Sequence, residues 1–171
     1  MSYFEYSQQL RREIESEESI VTRLKYAFRG DIEPFAFGGT VNIFCIGQTK
    51  SGIWTALRAF RPKMPEGMRT TEIQKSNMEI YCQNVEYLHE KGERCPALCI
   101  GVVYENMVGI LTEDLSAGGK YEIEHNPDLN YGFILSSENR QKVFIDLDYG
   151  FRIPPNRREK YFAEDAFILL E

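Results

Sequence analysis

Long apolar runs, an excess of basic residues and a dense set of cysteines are all lacking in this chain. No segment approaches the roughly 20 consecutive apolar residues that cross a bilayer, and the N-terminal residues hold no apolar signal core. The 20 lysines and arginines are outnumbered by 26 aspartates and glutamates, which gives a net charge of −6. We therefore expect a cytoplasmic protein that binds neither membranes nor nucleic-acid phosphates.

Cysteine is scarce and dispersed. Cys45, Cys82, Cys95 and Cys99 do not form the dense pattern of a disulfide framework, which favours a reducing compartment. A zinc site made of the last three cysteines and His89 would have spacings that fit no familiar zinc finger. We therefore interpret the cysteines as small buried hydrophobes.

The apolar pattern predicts one α+β domain over residues 1–171. With 43% hydrophobic and 27% charged residues, the chain has the composition of a globular protein with a sizeable core. The predicted elements are a helix over 3–28, strands over 41–46 and 53–60, a helix over 71–92, strands over 97–104 and 108–112, a hairpin of 133–135 with 143–147, and a helix over 161–170. The acidic run over 13–18 is interpreted as a solvated helix face, and the residues between 119 and the last hairpin as an irregular polar stretch.

The strongest functional signal is an acidic motif at the end of the final hairpin. Asp148-Tyr149-Gly150 follows the apolar run 143–147, and Asp128 precedes the first strand of the hairpin. This arrangement, in the order of elements given above, resembles a protein-kinase fold cut short. The resemblance implies that Asp128 is the catalytic base and that Asp148 holds a Mg²⁺ ion bridging the phosphates of ATP. A strand that merely ends in an acidic turn is the alternative.

A glycine turn and a strand arginine extend the resemblance to the first half of the chain. Gly38 and Gly39 precede Val41, and the next strand contains Ala56 and Arg58. Because alternate residues of a strand share a face, Ala56 and Arg58 lie on the same side. The resemblance implies that the glycines approach the phosphates, Val41 lies above the base, Ala56 lies beneath the adenine and Arg58 neutralises phosphates. The alternatives are a plain tight turn and an edge arginine paired with a surface carboxylate.

Two further segments would complete the nucleotide site. The helix that begins at residue 71 would supply a glutamate to Arg58, for which Glu79 is preferred and Glu72 and Glu86 are competitors. The segment 110–115, which includes Glu113, resembles the linker whose backbone hydrogen-bonds the adenine edge in kinases. A solvated glutamate in the middle of a helix is the alternative for Glu79.

The fold that the resemblance implies is α+β and incomplete. Residues 35–115 would form a kinase-like N-terminal lobe, an antiparallel sheet plus one main helix, preceded by a helical segment over 1–30. Residues 116–171 would form a reduced remnant of the C-terminal lobe, with the catalytic hairpin and little of the helical part. The helix over 161–170 resembles the start of the first long helix beyond the activation segment.

Three departures from the kinase pattern argue against catalysis. Phe133 stands five residues after Asp128, where the family has an asparagine that ligates a second metal. His125 stands three residues before Asp128 instead of two. Finally, few residues separate Leu115 from Asp128, where the family inserts two helices.

These features together predict a degenerate, pseudokinase-like module that acts by protein interaction, with nucleotide binding either retained or lost. The alternatives are a minimal active ATP-dependent phosphotransferase, completed by a partner or by oligomerisation, and an unrelated α+β protein-binding domain. ATP and Mg²⁺ are the implied cofactors. Because an incomplete lobe leaves apolar surface exposed, we expect a protein partner or self-association.

Overall fold

Three helices and nine strands make up the described part of the chain. The computed structural model describes residues 3–37, 41–60, 71–125, 129–136, 138–145, 147 and 167–171. The helices are α1 (Tyr3–Ser16), α2 (Glu18–Arg29) and α3 (Thr71–Glu90). The strands are β1 (Ala36–Phe37), β2 (Val41–Gln48), β3 (Trp54–Phe60), β4 (Cys99–Tyr104), β5 (Met107–Glu113), β6 (Glu122–His125), β7 (Tyr131–Leu135), β8 (Arg140–Phe144) and β9 (Phe167–Leu170).

The N-terminal helical segment consists of two helices, where the sequence predicts one. Glu17 separates α1 from α2, because its backbone is extended at φ −93° and ψ 98°. Gly30 ends α2 at φ +79°, a left-handed conformation that glycine adopts without steric cost. The apolar side of the pair, which includes Ile14 and Leu24, is buried against the sheet.

The main sheet is mixed. Its strand order is β1-β2-β3-β5-β4-β9. Neighbouring strands are antiparallel from β1 to β4, whereas β9 runs parallel to β4. The expectation of a purely antiparallel sheet is therefore corrected at this edge.

The C-terminal residues 167–170 are a strand, so the helix predicted over 161–170 is wrong there. In β9, Ile168 pairs with Val102 and is 1% exposed in the core, whereas Leu169 is 70% exposed. This alternation is the period of a strand. A short apolar run fits a helix and a strand equally well, and pairing with the open edge of β4 decides between them. Residues 161–166 lie outside the described residues.

Helices cover both faces of the main sheet. On one face α1 and α2 pack on a cluster that includes Leu57, Ile100 and Leu111. On the opposite face α3 packs on a second cluster that includes Cys99 and Ile110. Successive residues of a strand point to opposite faces, so both faces of these strands are buried. The expected α+β architecture is thus present, with a helical layer on each face of the sheet.

A second, three-stranded sheet has the order β6-β7-β8 and is antiparallel throughout. The predicted hairpin is present as β7 and β8, but its second strand spans Arg140–Phe144, where the sequence predicts 143–147. The sequence did not predict β6, because its residues Glu122 and Glu124 are exposed and charged and carry no apolar alternation. The backbone amide of Phe144 donates to the carbonyl of Arg94 at 2.8 Å, which ties this sheet to the loop after α3.

Candidate functional site

Ala56 and Arg58 lie on the face of β3 that α3 covers. Their neighbour Leu57 belongs to the cluster under α1 and α2, so the two flanking side chains point the other way. Ala56 is buried and pairs with Thr112, and Arg58 pairs with Ile110. The shared face that the sequence predicts for Ala56 and Arg58 is therefore observed.

The guanidinium of Arg58 lies over an aromatic ring of α3. Its central carbon is 5.6 Å from the centroid of the Tyr81 ring, within the range of a cation–π interaction. Tyr81 is itself buried in the cluster that joins α3 to the sheet. The positive charge on β3 thus lies against Tyr81, which the apolar pattern of α3 does not distinguish from the other buried residues of this helix.

The glycine turn that should lie above this face is only partly described. Val41 is buried at the start of β2 and pairs with Phe60 of β3. Gly38 and Gly39 lie outside the described residues. Their expected approach to phosphates stays a prediction.

The glutamates of α3 fall into different environments. Burial, and next the charge of Glu90, raise the pKa of Glu86 to about 7. Attraction by Arg58 would lower this pKa and is not among its causes, so the shift gives no support to Glu86 as the partner of Arg58. Glu79 is half-buried two residues before Tyr81. Its pairing with Arg58 stays a prediction.

Helix α3 also contacts Leu147, the residue that immediately precedes the acidic motif. The side-chain amide of Asn84 donates a buried hydrogen bond of 2.6 Å to the carbonyl oxygen of Leu147. Leu147 is fully buried in the cluster under α3. Tyr81 and Asn84 are three residues apart and so lie on one side of the helix. Within one turn, α3 therefore contacts both the cation of β3 and the chain that leads into Asp148.

The two carboxylates expected to do the chemistry, Asp128 and Asp148, lie outside the described residues. Phe133, at the position of the expected metal-ligating asparagine, lies on β7. The guanidinium carbon of Arg140 is 3.7 Å from the centroid of its ring. Arg140 also forms an ion pair of 2.6 Å with Glu124 on β6. The Phe133 side chain thus has a packing role in the small sheet and offers no metal ligand.

No family model, curated protein or solved structure matches this chain. Among the described residues, no group of three or more His, Cys, Asp or Glu side chains is placed to hold a metal ion. None of the helices in the described part of the chain combines the length and the apolar character needed to cross a bilayer.

The carboxylate of Glu113, expected in the nucleotide site, is engaged within the protein. Arg94 forms two hydrogen bonds with it, of 3.0 and 3.2 Å, and the amide of Ala97 donates a third of 2.8 Å. The backbone amide of Glu113 donates to Leu98, and that of Asp114 donates to Trp54. The backbone amides of Glu113 and Asp114 therefore already form hydrogen bonds within the protein. The side chain of Glu113 binds residues of the loop after α3.

A cavity of about 400 Å³ lies between the end of β5 and the small sheet. Its wall includes Trp54, Glu113, Tyr121 and Gln141, whereas Arg58 does not contribute to it. Trp54 is the only tryptophan of the chain, so its fluorescence reports on this cavity and on the adjoining linker.

Two acidic residues of the N-terminal run hold the turn between β2 and β3. Glu17 accepts a hydrogen bond of 2.8 Å from the amide of Lys50 and is itself buried. Glu13 accepts from the amide of Ser51 at 2.8 Å and from its hydroxyl at 3.1 Å. The interpretation of the run over 13–18 as a solvated face is therefore wrong for Glu17, which is buried, whereas Glu13 forms its hydrogen bonds at the surface. Their role depends on a contact distant in sequence, for which the local pattern holds no signal.

Proposed function

We propose that the chain is a degenerate kinase-like module that binds the phosphates of a nucleotide at Arg58 and acts through protein interaction. The observation that supports the proposal best is the position of α3. Its residues Tyr81 and Asn84 contact, respectively, Arg58 and the residue that precedes Asp148. A cation and a carboxylate are the groups by which kinases hold a Mg²⁺–phosphate group, and the proposal assigns these roles to Arg58 and Asp148.

The environment of Arg58 suits phosphate binding. Arg58 is partly exposed, whereas Ala56 on the same face is buried. Arginine binds phosphate oxygens through a planar fork of donors, with a geometry different from that of lysine. Kinases have a lysine at the position that corresponds to Arg58, so we expect nucleotide binding here with a different phosphate geometry.

Loss of phosphoryl transfer is part of the proposal. Phe133 supplies no ligand for a second metal and is stacked with Arg140. Because phosphoryl transfer depends on positioning and charge stabilisation, a missing metal ligand lowers the rate by orders of magnitude while binding persists. The protein would then signal by binding, and the reduced C-terminal lobe would supply the contact surface for a protein partner or a second copy.

The first test is nucleotide binding by the full chain, measured by isothermal titration with ATP and ADP in the presence and absence of Mg²⁺. Arg58→Met keeps the volume and removes the charge, and we expect it to weaken binding by at least about tenfold. Arg12→Met, on the exposed surface of α1, is the matched control and should bind as the wild type does. A wild type without any binding heat, or an Arg58→Met variant that binds normally, would contradict the proposal.

A second measurement separates the proposal from a minimal phosphotransferase. Transfer from labelled ATP to the chain itself or to added protein substrates should be absent. Transfer that disappears in Asp148→Asn would favour the catalytic alternative instead. Sedimentation analysis of the full chain over a range of concentrations distinguishes self-association from binding of a separate partner.

A further inference from the structure

Two cysteines, one on α3 and one on β4, lie side by side where the helix packs on the sheet. The Sγ atoms of Cys82, on α3, and Cys99, at the start of β4, are 3.1 Å apart. Cys99 is buried, and Cys82 is partly exposed. Both are thiols, and a disulfide would require their sulfurs to approach by about 1 Å more.

We propose that Cys82 and Cys99 are an oxidation site whose product is an intramolecular disulfide between α3 and β4. The oxidant is a peroxide, which reaches the partly exposed thiol first. The Cys82 sulfur attacks the peroxide, the O–O bond breaks, and a sulfenic acid and one water result. The Cys99 sulfur then displaces the hydroxyl of that sulfenic acid, so that the S–S bond forms and a second water leaves. Each sulfur loses one electron, and the peroxide takes up both.

The surroundings of Cys99 bear on the second step through the pKa of its thiol. Burial, and next the hydrogen bond with Cys82, raise the pKa of the Cys99 thiol, whereas the charge of Arg58 lowers it. The thiolate is the attacking form. Arg58 therefore promotes closure of the disulfide, and a ligand that neutralises its charge should slow this step.

The disulfide would bear on the nucleotide site because of where it lies. Cys82 directly follows Tyr81, whose ring contacts Arg58, so a bond at Cys82 fixes this turn of α3 against the sheet. This last step rests on the proposed function, whereas formation of the disulfide does not. By linkage, if the disulfide weakens nucleotide binding by some factor, bound nucleotide shifts the equilibrium between disulfide and thiols toward the thiols by the same factor.

The chemical test uses the full chain treated with hydrogen peroxide, followed by alkylation of the remaining thiols and peptide mapping. We expect a linked pair of peptides containing Cys82 and Cys99 in the wild type. We also expect this pair in Cys45→Ser and Cys95→Ala, the matched controls, and its loss in Cys82→Ser and Cys99→Ala. A bond that involves Cys45 or Cys95, or Cys82 oxidised to sulfinic acid without any linked pair, overturns the proposal. Mapping of the wild type keeps the test decisive if a variant fails to fold.

A physical readout accompanies the map. A covalent bond between α3 and β4 restricts the unfolded chain, so the thermal midpoint of the oxidised wild type should rise by roughly 5 °C and fall back after reduction. A linked protein whose midpoint falls would contradict a bond that fits the folded chain.

Titration of oxidised and reduced protein with ATP separates the two proposals. Weaker binding after oxidation, by a factor of about three or more, supports the coupling. Equal affinity in the two states overturns the coupling and leaves the disulfide standing. Absence of nucleotide binding in both states counts against the proposed function, and the linked peptides still decide the oxidation site.

Discussion

Asn84 and Leu147 are joined by a buried hydrogen bond from a helix side chain to a backbone carbonyl 63 residues away in sequence, at 2.6 Å. The bond connects α3 with Leu147, the residue before the acidic motif Asp148-Tyr149-Gly150. A carbonyl that loses its buried donor bears the full cost of desolvation. The amide of Asn84 thus helps to hold Leu147, together with the burial of the Leu147 side chain under α3.

Replacement of Asn84 by alanine tests this connection. We expect the free energy of unfolding to fall by about 2 kcal/mol, because the Leu147 carbonyl would be left buried without its donor. Ser76→Ala, at an exposed position of the same helix, should change the stability by less than about 0.5 kcal/mol. Urea denaturation followed by Trp54 fluorescence measures both. Equal stabilities of the two variants would show that the bond carries no net free energy.

The Arg94–Glu113 pair should contribute more than a surface ion pair. The side chains are 35% and 19% exposed and form two hydrogen bonds in a fork, a geometry that makes such pairs strong. A double-mutant cycle with Arg94→Met and Glu113→Gln should give a coupling of about 1.5 kcal/mol.

The Arg140–Glu124 pair is the control for that cycle. It is shorter, at 2.6 Å, but its side chains are 55% and 51% exposed. Solvent screening should limit its coupling to about 0.5 kcal/mol in a cycle with Arg140→Met and Glu124→Gln. A larger coupling at the exposed pair than at Arg94–Glu113 would contradict the argument from burial.

Glu86 should make stability depend on pH near neutrality. Its pKa is about 7 in the folded chain, above the ordinary value in the unfolded chain, so the folded state binds the extra proton between roughly pH 4.5 and pH 7. The unfavourable contribution of Glu86 is therefore absent below this window and fully present above it. Because the group is partly exposed, we expect Glu86→Gln to stabilise the protein by about 1 kcal/mol at pH 8 and by nearly nothing at pH 4.5.

Chemical denaturation at the two pH values measures the effect. Glu93→Gln, an exposed substitution in the loop after α3, is the control and should give similar small changes at both. If Glu86→Gln destabilises the chain at pH 8, Glu86 is held by a favourable charge and the assignment is wrong.

Glu17 is expected to stabilise the turn between β2 and β3 from the helix side. Glu17→Ala removes the acceptor for the Lys50 amide and should lower the free energy of unfolding by about 1.5 kcal/mol. Glu15→Ala, exposed on α1, should lie within about 0.5 kcal/mol of the wild type. Amide exchange at Lys50 should accelerate only in the Glu17 variant, and protection that remains unchanged would refute the contact.

Helices and strands whose apolar residues recur at a regular spacing could be predicted from the sequence. Strands that form only because they pair with a neighbouring strand could not. The helix over 71–90, the strands around Ala56 and Arg58, and the last hairpin all carry apolar spacing of their own. By contrast, β6 is charged and short, and β9 is a short apolar run that fits a helix equally well. Both owe their conformation to a neighbouring strand, which local residues do not encode.

The candidate site divides in the same way. The shared face of Ala56 and Arg58 follows from the two-residue period of a strand. The contacts of Tyr81 and Asn84 depend on how α3 is rotated about its axis and where it lies along the sheet. The apolar pattern of the helix does not specify either, so it does not identify these two residues. The pairing of Cys82 with Cys99 was equally hidden, because spacing in sequence does not reveal a contact between a helix and a strand.

The parallel pairing of β9 with β4 has a consequence for how the chain folds during its synthesis. Strand β4 ends at Tyr104, yet the strand that covers its edge ends at Leu170. Until β9 has left the ribosome, the edge of β4 that β9 pairs with presents a row of unpaired amides and carbonyls. Nascent chains that contain β4 without β9 should therefore be prone to aggregation, and a contact so distant in sequence should make closure of this edge a late and slow event.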